Sequence, residues 1–153
     1  QMNNVLSESL LHLLHRASQV ADDSFASHAE TGKLTARQYI VLSAIAVREG
    51  ASQTMIADMT GIDRSTLADV IGRLQRRGYV ARRRTKQDAR AYAVRLTDAG
   101  QRLLATAKPV ADLVDSQLFG VVAPQKRSEF IKHLRLIAEG PPTQRSIKSL
   151  QPG

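Results

Sequence analysis

Residues 52–80 read Ser52-Gln-Thr-Met-Ile-Ala-Asp-Met-Thr-Gly-Ile-Asp-Arg-Ser-Thr-Leu-Ala-Asp-Val-Ile-Gly-Arg-Leu-Gln-Arg-Arg-Gly-Tyr-Val80, and this stretch decides the fold. Ser52 is placed to cap a short helix running to about Thr60, with Ile56, Ala57 and Met59 as its inward residues. Gly61-Ile62-Asp63 is a tight turn, and the Asp63 carboxylate suits the N-terminus of the helix that follows, where backbone amides lack partners. That helix, Arg64 to about Arg77, carries Leu67, Val70, Ile71 and Leu74 at i, i+3, i+4 and i+7. One apolar stripe holds it to a core, so Arg64, Ser65, Ala68, Asp69, Gly72, Arg73 and Arg76 face outward. Two helices joined by such a turn form a helix-turn-helix, whose second helix enters the major groove of a duplex.

Gly78 closes the second helix, and two short strands are predicted after it, Tyr79 to Arg84 and Ala91 to Leu96, joined by the polar tip Thr85-Lys-Gln-Asp-Ala-Arg90. Tyr92, Val94 and Leu96 alternate with Ala91, Ala93 and Arg95, the pattern of a half-buried hairpin strand. So small a hairpin must pack on helices to be stable. The charge distribution gives the same segment a partner. Of 22 basic and 14 acidic residues, ten and two respectively lie between Arg64 and Arg95, leaving equal numbers elsewhere, so this segment accounts for the whole net charge of +8. Cations concentrated in this way are the footprint of a protein that meets a polyanion on one face. A solvated basic face is the alternative, but it does not account for cations running from a helix into a hairpin.

On this reading Arg64, Ser65, Thr66, Ala68 and Asp69 approach base edges and nearby phosphates, with Arg73 and Arg76 further along towards the backbone. The hairpin tip, with Lys86 and Arg90, is a wing able to reach an adjacent groove, where a narrow minor groove attracts an inserted arginine. Asp88 either holds the Arg90 guanidinium in a bidentate ion pair or serves simple turn chemistry. Gly72 costs about 1 kcal/mol against alanine in a helix interior. It allows close approach of a phosphate or of a packed neighbour.

Outward from this unit the chain is helical. Leu6, Leu10, Leu13, Leu14, Ala17, Val20, Ala21 and Phe25 draw one stripe on a long helix from Asn4 to about Ala29. Thr35-Ala-Arg-Gln38 is a capping box opening a helix to about Arg48, with Tyr39, Ile40, Leu42, Ile45 and Ala46, ended by Gly50. Thr97-Asp98 opens a further helix whose Leu103, Leu104, Ala107, Val110, Ala111, Val114 and Leu118 cover more than one stripe, with a kink expected at Pro109. Pro124 starts a last helix with Phe130, Ile131, Leu134, Ile137 and Ala138 inward, stopped by Gly140-Pro141-Pro142. The expected organisation is an N-terminal dimerisation helix over 1–34, a winged helix-turn-helix over 35–100, C-terminal dimerisation helices over 101–140 and a mobile tail over 141–153. A chain of 153 residues cannot cover the apolar stripes at both of its ends, and two copies covering each other is the expected solution; a bundle closing within one chain is the alternative.

Several function classes drop out. There is no run of about eighteen apolar residues and no signal-peptide pattern, so a cytoplasmic protein with no membrane association is expected. The absence of cysteine excludes disulfides, thiolate metal sites and thiol-based sensing. No activated nucleophile, glycine-rich phosphate loop or paired carboxylate motif points to an enzyme, and nothing calls for a cofactor. His12 and His15, three residues apart, have a spacing open to two metal ligands, but His28 and His133 are scattered, so metal sensing is a minor reading and no metal site is assigned.

The motifs Thr60-Gly-Ile-Asp-Arg-Ser-Thr66, Arg73-Leu74, Arg77-Gly78-Tyr-Val80, Asp88-Ala-Arg90 and Leu96-Thr97-x-x-Gly100, in this order and spacing, resemble the MarR family of winged-helix regulators. The resemblance implies a mainly α fold with a small β-hairpin wing and long dimerisation helices at both ends, and an obligate homodimer on double-stranded DNA at a pseudo-palindromic operator. It places Ser65, Thr66 and Arg73 at recognition-helix contacts, and Asp88 and Arg90 in the wing motif. Gly72 departs from the polar or charged residue many members carry. The resemblance further implies repression relieved by a small-molecule effector, often aromatic and anionic, bound between the dimerisation helices and the winged helix. His12, His15, Arg16, Phe25, Arg37 and Tyr39 lie on the elements that would border such a pocket, where cations pair with a carboxylate and rings stack. Taken singly, Phe25 and Tyr39 suit a core and Arg37 a solvated first turn. Aromatic carboxylates, phenols and aromatic acyl-CoA thioesters all suit such a cleft. A ligand-independent architectural DNA binder is the rival reading, with a metal-responsive regulator behind it.

Overall fold

The computed structural model describes residues 2–85 and 92–140, and the chain divides into two compact units, 1–114 and 115–153. The first unit begins with α1 (Met2–Ser7) and α2 (Leu10–Ala26), followed by a 3₁₀ turn at Ala29–Thr31. The single long N-terminal helix predicted from the stripe is therefore broken at Glu8 and Ser9. Ser9 is the reason: its hydroxyl accepts from the His12 amide at 3.3 Å and starts a new helix, while its own amide donates to the Leu6 carbonyl.

Helix α3 (Ala36–Val47) opens on the capping box as read, with the Gln38 amide donating to Thr35 Oγ1 and the Thr35 amide to Gln38 Oε1. Of the apolar residues read on it, Leu42 and Ile45 are in the core. Val41, Leu42, Ala44 and Ile45 are buried, whereas Ile40 and Ala46 are exposed. Helix α4 (Gln53–Thr60) is capped by Ser52, whose hydroxyl accepts from the Met55 amide, and it buries Ile56 and Ala57 but leaves Met59 exposed. The turn into α5 (Arg64–Arg76) is built from two devices. Gly61 takes φ 72°, open to glycine without steric cost, and the Thr60 hydroxyl donates to the Ile56 carbonyl while accepting from the Ile62 amide. Asp63 then caps α5, and Leu67, Val70, Ile71 and Leu74 are buried as the periodicity predicts.

Strands β1 (Val80–Arg84) and β2 (Tyr92–Leu96) pair antiparallel, with Val80 opposite Leu96 and Arg84 opposite Tyr92. Val94 and Leu96 are buried and Arg95 exposed, as the alternation requires. The hairpin is not limited to its own two strands. Gly50 donates to the Val94 carbonyl, Val94 donates back to Ala51, and Ser52 bridges Ala93, so the chain entering α4 pairs with β2 along its free edge. Helix α6 (Asp98–Phe119) continues through exposed Pro109, and Thr97 caps it by accepting from the Gly100 amide. Of its apolar residues only Ala107, Val110 and Val114 are buried; Leu103, Leu104, Ala111 and Leu118 are half-buried.

In the second unit a 3₁₀ turn at Pro124–Lys126 leads into α7 (Arg127–Glu139). Phe119 and Phe130 meet edge to face with centroids 6.4 Å apart, and the Arg127 guanidinium donates to the Val122 carbonyl while lying over the Phe119 ring. No residue of α7 is buried: Ile131 and Leu134 are half-buried and Phe130, Ile137 and Ala138 exposed, although the spacing reads as an inward face. The stripe exists, and it is not buried within its own unit among the described residues.

Candidate nucleic-acid interface

Because Leu67, Val70, Ile71 and Leu74 are buried, the remaining positions of α5 are displayed outward. Arg64, Ser65, Asp69, Arg73 and Arg76 are exposed, and Thr66, Ala68 and Gly72 half-exposed. The first turn is held firmly. Asp63 Oδ1 accepts from the Thr66 amide at 2.9 Å and its Oδ2 from the Thr66 hydroxyl at 2.6 Å. The Thr66 hydroxyl, and after it the Thr66 amide, hold the Asp63 carboxyl below its ordinary range. Thr66 is thus engaged by its own helix cap, and Arg64 and Ser65 are the exposed side chains beside it.

One turn on, Arg73 Nε lies 3.2 Å from Asp69 Oδ2 across i, i+4, both side chains largely exposed. An exposed pair of this kind contributes little to stability. It restricts the Arg73 rotamers and gives this helix face alternating charge, an acid that can accept from an exocyclic amine beside a cation that suits phosphate or guanine.

Not every cation of the segment is free to meet a polyanion. Arg77 donates through Nη2 to the Gly32 carbonyl at 2.6 Å and lies 5.1 Å from the Tyr79 ring centroid, tying the end of α5 to the junction between α2 and α3. Arg82 donates through Nε to Gln75 Oε1 at 2.8 Å and through Nη1 to Gln53 Oε1 at 3.1 Å. No sequence pattern marks Arg82 as a fastener, since Gln53 lies 29 residues away and glutamine has no distinctive spacing. Arg83 and Arg84 on the same strand are exposed. Lys86, Asp88 and Arg90, assigned to the wing tip, lie outside the described residues.

Of the residues assigned to an effector pocket, the structure brings together Phe25 and Tyr39, with ring centroids 5.3 Å apart and planes at 41°. Phe25 is buried as a core residue, and Tyr39 is half-buried. His12 is half-buried, while His15, Arg16 and Arg37 are exposed. Among the described residues no group of three or more His, Asp or Glu side chains is arranged to hold a metal ion, and no helix is long and apolar enough to cross a membrane.

A capped helix displaying cations from a helix-turn-helix, with a basic hairpin fastened beside it, defines a winged helix-turn-helix DNA-binding protein. The chain belongs to the MarR family. The MarR family model matches residues 33–91. Transcriptional regulator HosA of Escherichia coli O157:H7 is 33% identical over 106 residues, which are 69% of this chain and 78% of HosA. The fold is similar to that of the PcaV transcriptional regulator from Streptomyces coelicolor in complex with its natural ligand, with a TM-score of 0.81 and 29% identity over 88% of this chain and 95% of that one. It is equally similar to BpsR of Bordetella bronchiseptica, whose DNA binding is regulated by 6-hydroxynicotinic acid, with a TM-score of 0.81 and 32% identity over 88% and 96% of the two chains.

Proposed function

We propose that this transcriptional regulator works as a homodimeric repressor on a pseudo-palindromic operator, released when a small aromatic acid or its CoA thioester binds between the helices of the chain ends and the winged helix. The observation that carries the reading is the outward face of α5. Arg64, Ser65, Ala68, Asp69, Arg73 and Arg76 form a continuous polar and cationic surface on a helix anchored by four buried apolar residues. Residues 35–100 form the DNA-binding part, with Lys86, Asp88 and Arg90 in the wing, and residues 1–34 and 101–140 are the dimerisation helices. Exposed Leu6, Leu10, Leu13 and Val20 in one unit, and Phe130 and Ile137 in the other, support association. Tyr39 backed by Phe25 offers a ring for an aromatic effector, with His12, His15, Arg16 and Arg37 as partners for its carboxylate. Regulation of BpsR by 6-hydroxynicotinic acid, an aromatic acid, supports this ligand class.

The test is competition binding on the upstream sequence of the protein's own gene, with random duplex as competitor. A specific regulator keeps its site against at least a thousandfold excess of random duplex. Equal competition identifies an architectural binder instead. Addition of aromatic acids and their thioesters should raise the melting temperature of the protein and weaken the complex; a panel that does neither removes the effector half of the proposal.

A further inference from the structure

Arg82 differs from the other described cations of the basic segment in what it touches. It sits in β1 opposite Val94, is half-buried where Arg83 and Arg84 are exposed, and reaches three elements with one planar group. Its Nε donates to Gln75 Oε1 in the last turn of α5 and its Nη1 to Gln53 Oε1 in the first turn of α4, while its Cζ lies 5.5 Å from the Tyr92 ring centroid on β2. An arginine suits this place because its donors are held in a fixed fork; a lysine ammonium on a flexible stem does not replicate two divergent bonds to separate acceptors. A pair of five-residue strands has little rigidity of its own. Its direction relative to α5 is set by whatever ties the two together.

We infer that Arg82 is a positioning residue that fixes the angle between the wing and the recognition helix, its charge engaged within the protein rather than on a phosphate. This rests on the reading that α5 and the wing contact one duplex together. When helix and wing are preset, the second contact follows the first without further ordering; when the wing swings freely, binding bears that ordering cost.

The experiment measures operator affinity against salt concentration for the full chain and five variants. Arg82→Gln is expected to weaken binding about tenfold, the size associated with losing charge-assisted hydrogen bonds, with the slope of log K against log salt unchanged. Arg82→Lys, which keeps the charge and loses the fork, should bind as weakly as Arg82→Gln. The double variant Gln53→Ala/Gln75→Ala keeps every cation and should show the same loss, and adding Arg82→Gln to it should change little more, because the three side chains act as one unit. Arg90→Ala, measured in parallel, should lower the slope by about 0.9, the signature of a lost phosphate contact. Parental affinity in Arg82→Lys or in the glutamine double variant overturns the inference, as does a slope drop in Arg82→Gln. Should Arg82→Gln fail to fold, the glutamine pair still decides. If Arg90→Ala matches the parent in both affinity and slope, the wing reading falls and takes this inference with it; if Arg90→Ala loses slope while the Arg82 and glutamine variants do not weaken binding, this inference alone is wrong.

Discussion

Two glycines in this chain have opposite reasons for being there. At Gly100, a Cβ would collide with the carbonyl oxygen of Tyr79, the atom that also accepts from the Thr97 amide as the chain leaves β2 for α6. The Leu-Thr-x-x-Gly run is thus a packing requirement: threonine caps α6 and glycine lets the helix start against the chain entering β1. At Gly72, in the middle of α5, an added Cβ would meet Arg76 Nη1 at an ordinary 3.5 Å. Nothing among the described residues asks for glycine there. Gly72→Ala should therefore raise folding stability by about 1 kcal/mol in chemical denaturation, since it restores helix propensity without a clash. Gly100→Ala should lower it by several kcal/mol, on the scale of overpacking and strain. If Gly72→Ala also leaves operator affinity untouched, no phosphate approaches that helix turn.

The N-terminus of α5 is an element whose stability depends on pH. Asp63 is its cap, and the Thr66 hydroxyl and amide that it accepts from lower its carboxyl from the ordinary range. A carboxyl depressed on folding adds stability above its unfolded pKa, and that stability is lost as pH falls through the folded value. Asp63→Asn should therefore match the parent in strongly acid solution and fall behind it as pH rises past the ordinary carboxylate range, read from denaturation midpoints across pH; a difference that stays constant with pH would assign the cap no electrostatic part. Capping of this sort is legible in sequence because donor and acceptor lie three residues apart, and the same holds for the capping box at Thr35 and the serine at 52. The same local chemistry misled at Ser9, where an apolar stripe ran on across a cap and only the hydrogen bond to His12 shows which signal prevailed. The choice of Val41 over Ile40 for the core depends on where α4, α5 and β2 press on α3, and no spacing rule contains that. Long-range ties were equally silent: Arg77 to Gly32 spans 45 residues, and the pairing of residues 50–52 with β2 joins segments that show no matched pattern.

At the scale of the whole molecule, the apolar stripes at the chain ends are the feature left unresolved by one copy. Leu6, Leu10, Leu13 and Val20 are 53%, 57%, 46% and 51% exposed, at the spacing of three, four and seven that normally faces a core. Phe130 and Ile137, a heptad apart on α7, are 45% and 47% exposed. If two copies cover these residues about a two-fold axis, each substitution enters the interface twice, so the effect of a single charge is doubled. Leu10→Glu/Leu13→Glu changes residues that one chain alone leaves in water, and it should therefore keep its helix content while its mass by light scattering falls to that of one chain. Operator binding should then fall by a factor of about a hundred or more, because two linked recognition helices act at a high effective concentration and one does not. The proposed dimer also has a consequence for the operator: recognition helices related by a two-fold axis enter successive major grooves, so half-sites should stand about one helical turn, roughly 34–36 Å, centre to centre. Inserting five base pairs between half-sites turns the second onto the opposite side of the duplex and should reduce binding to the level of the monomeric variant, whereas inserting ten restores the facing. A double-glutamate variant that stays dimeric, or an operator indifferent to a half-turn insertion, would remove the two-fold arrangement while leaving the winged helix itself intact.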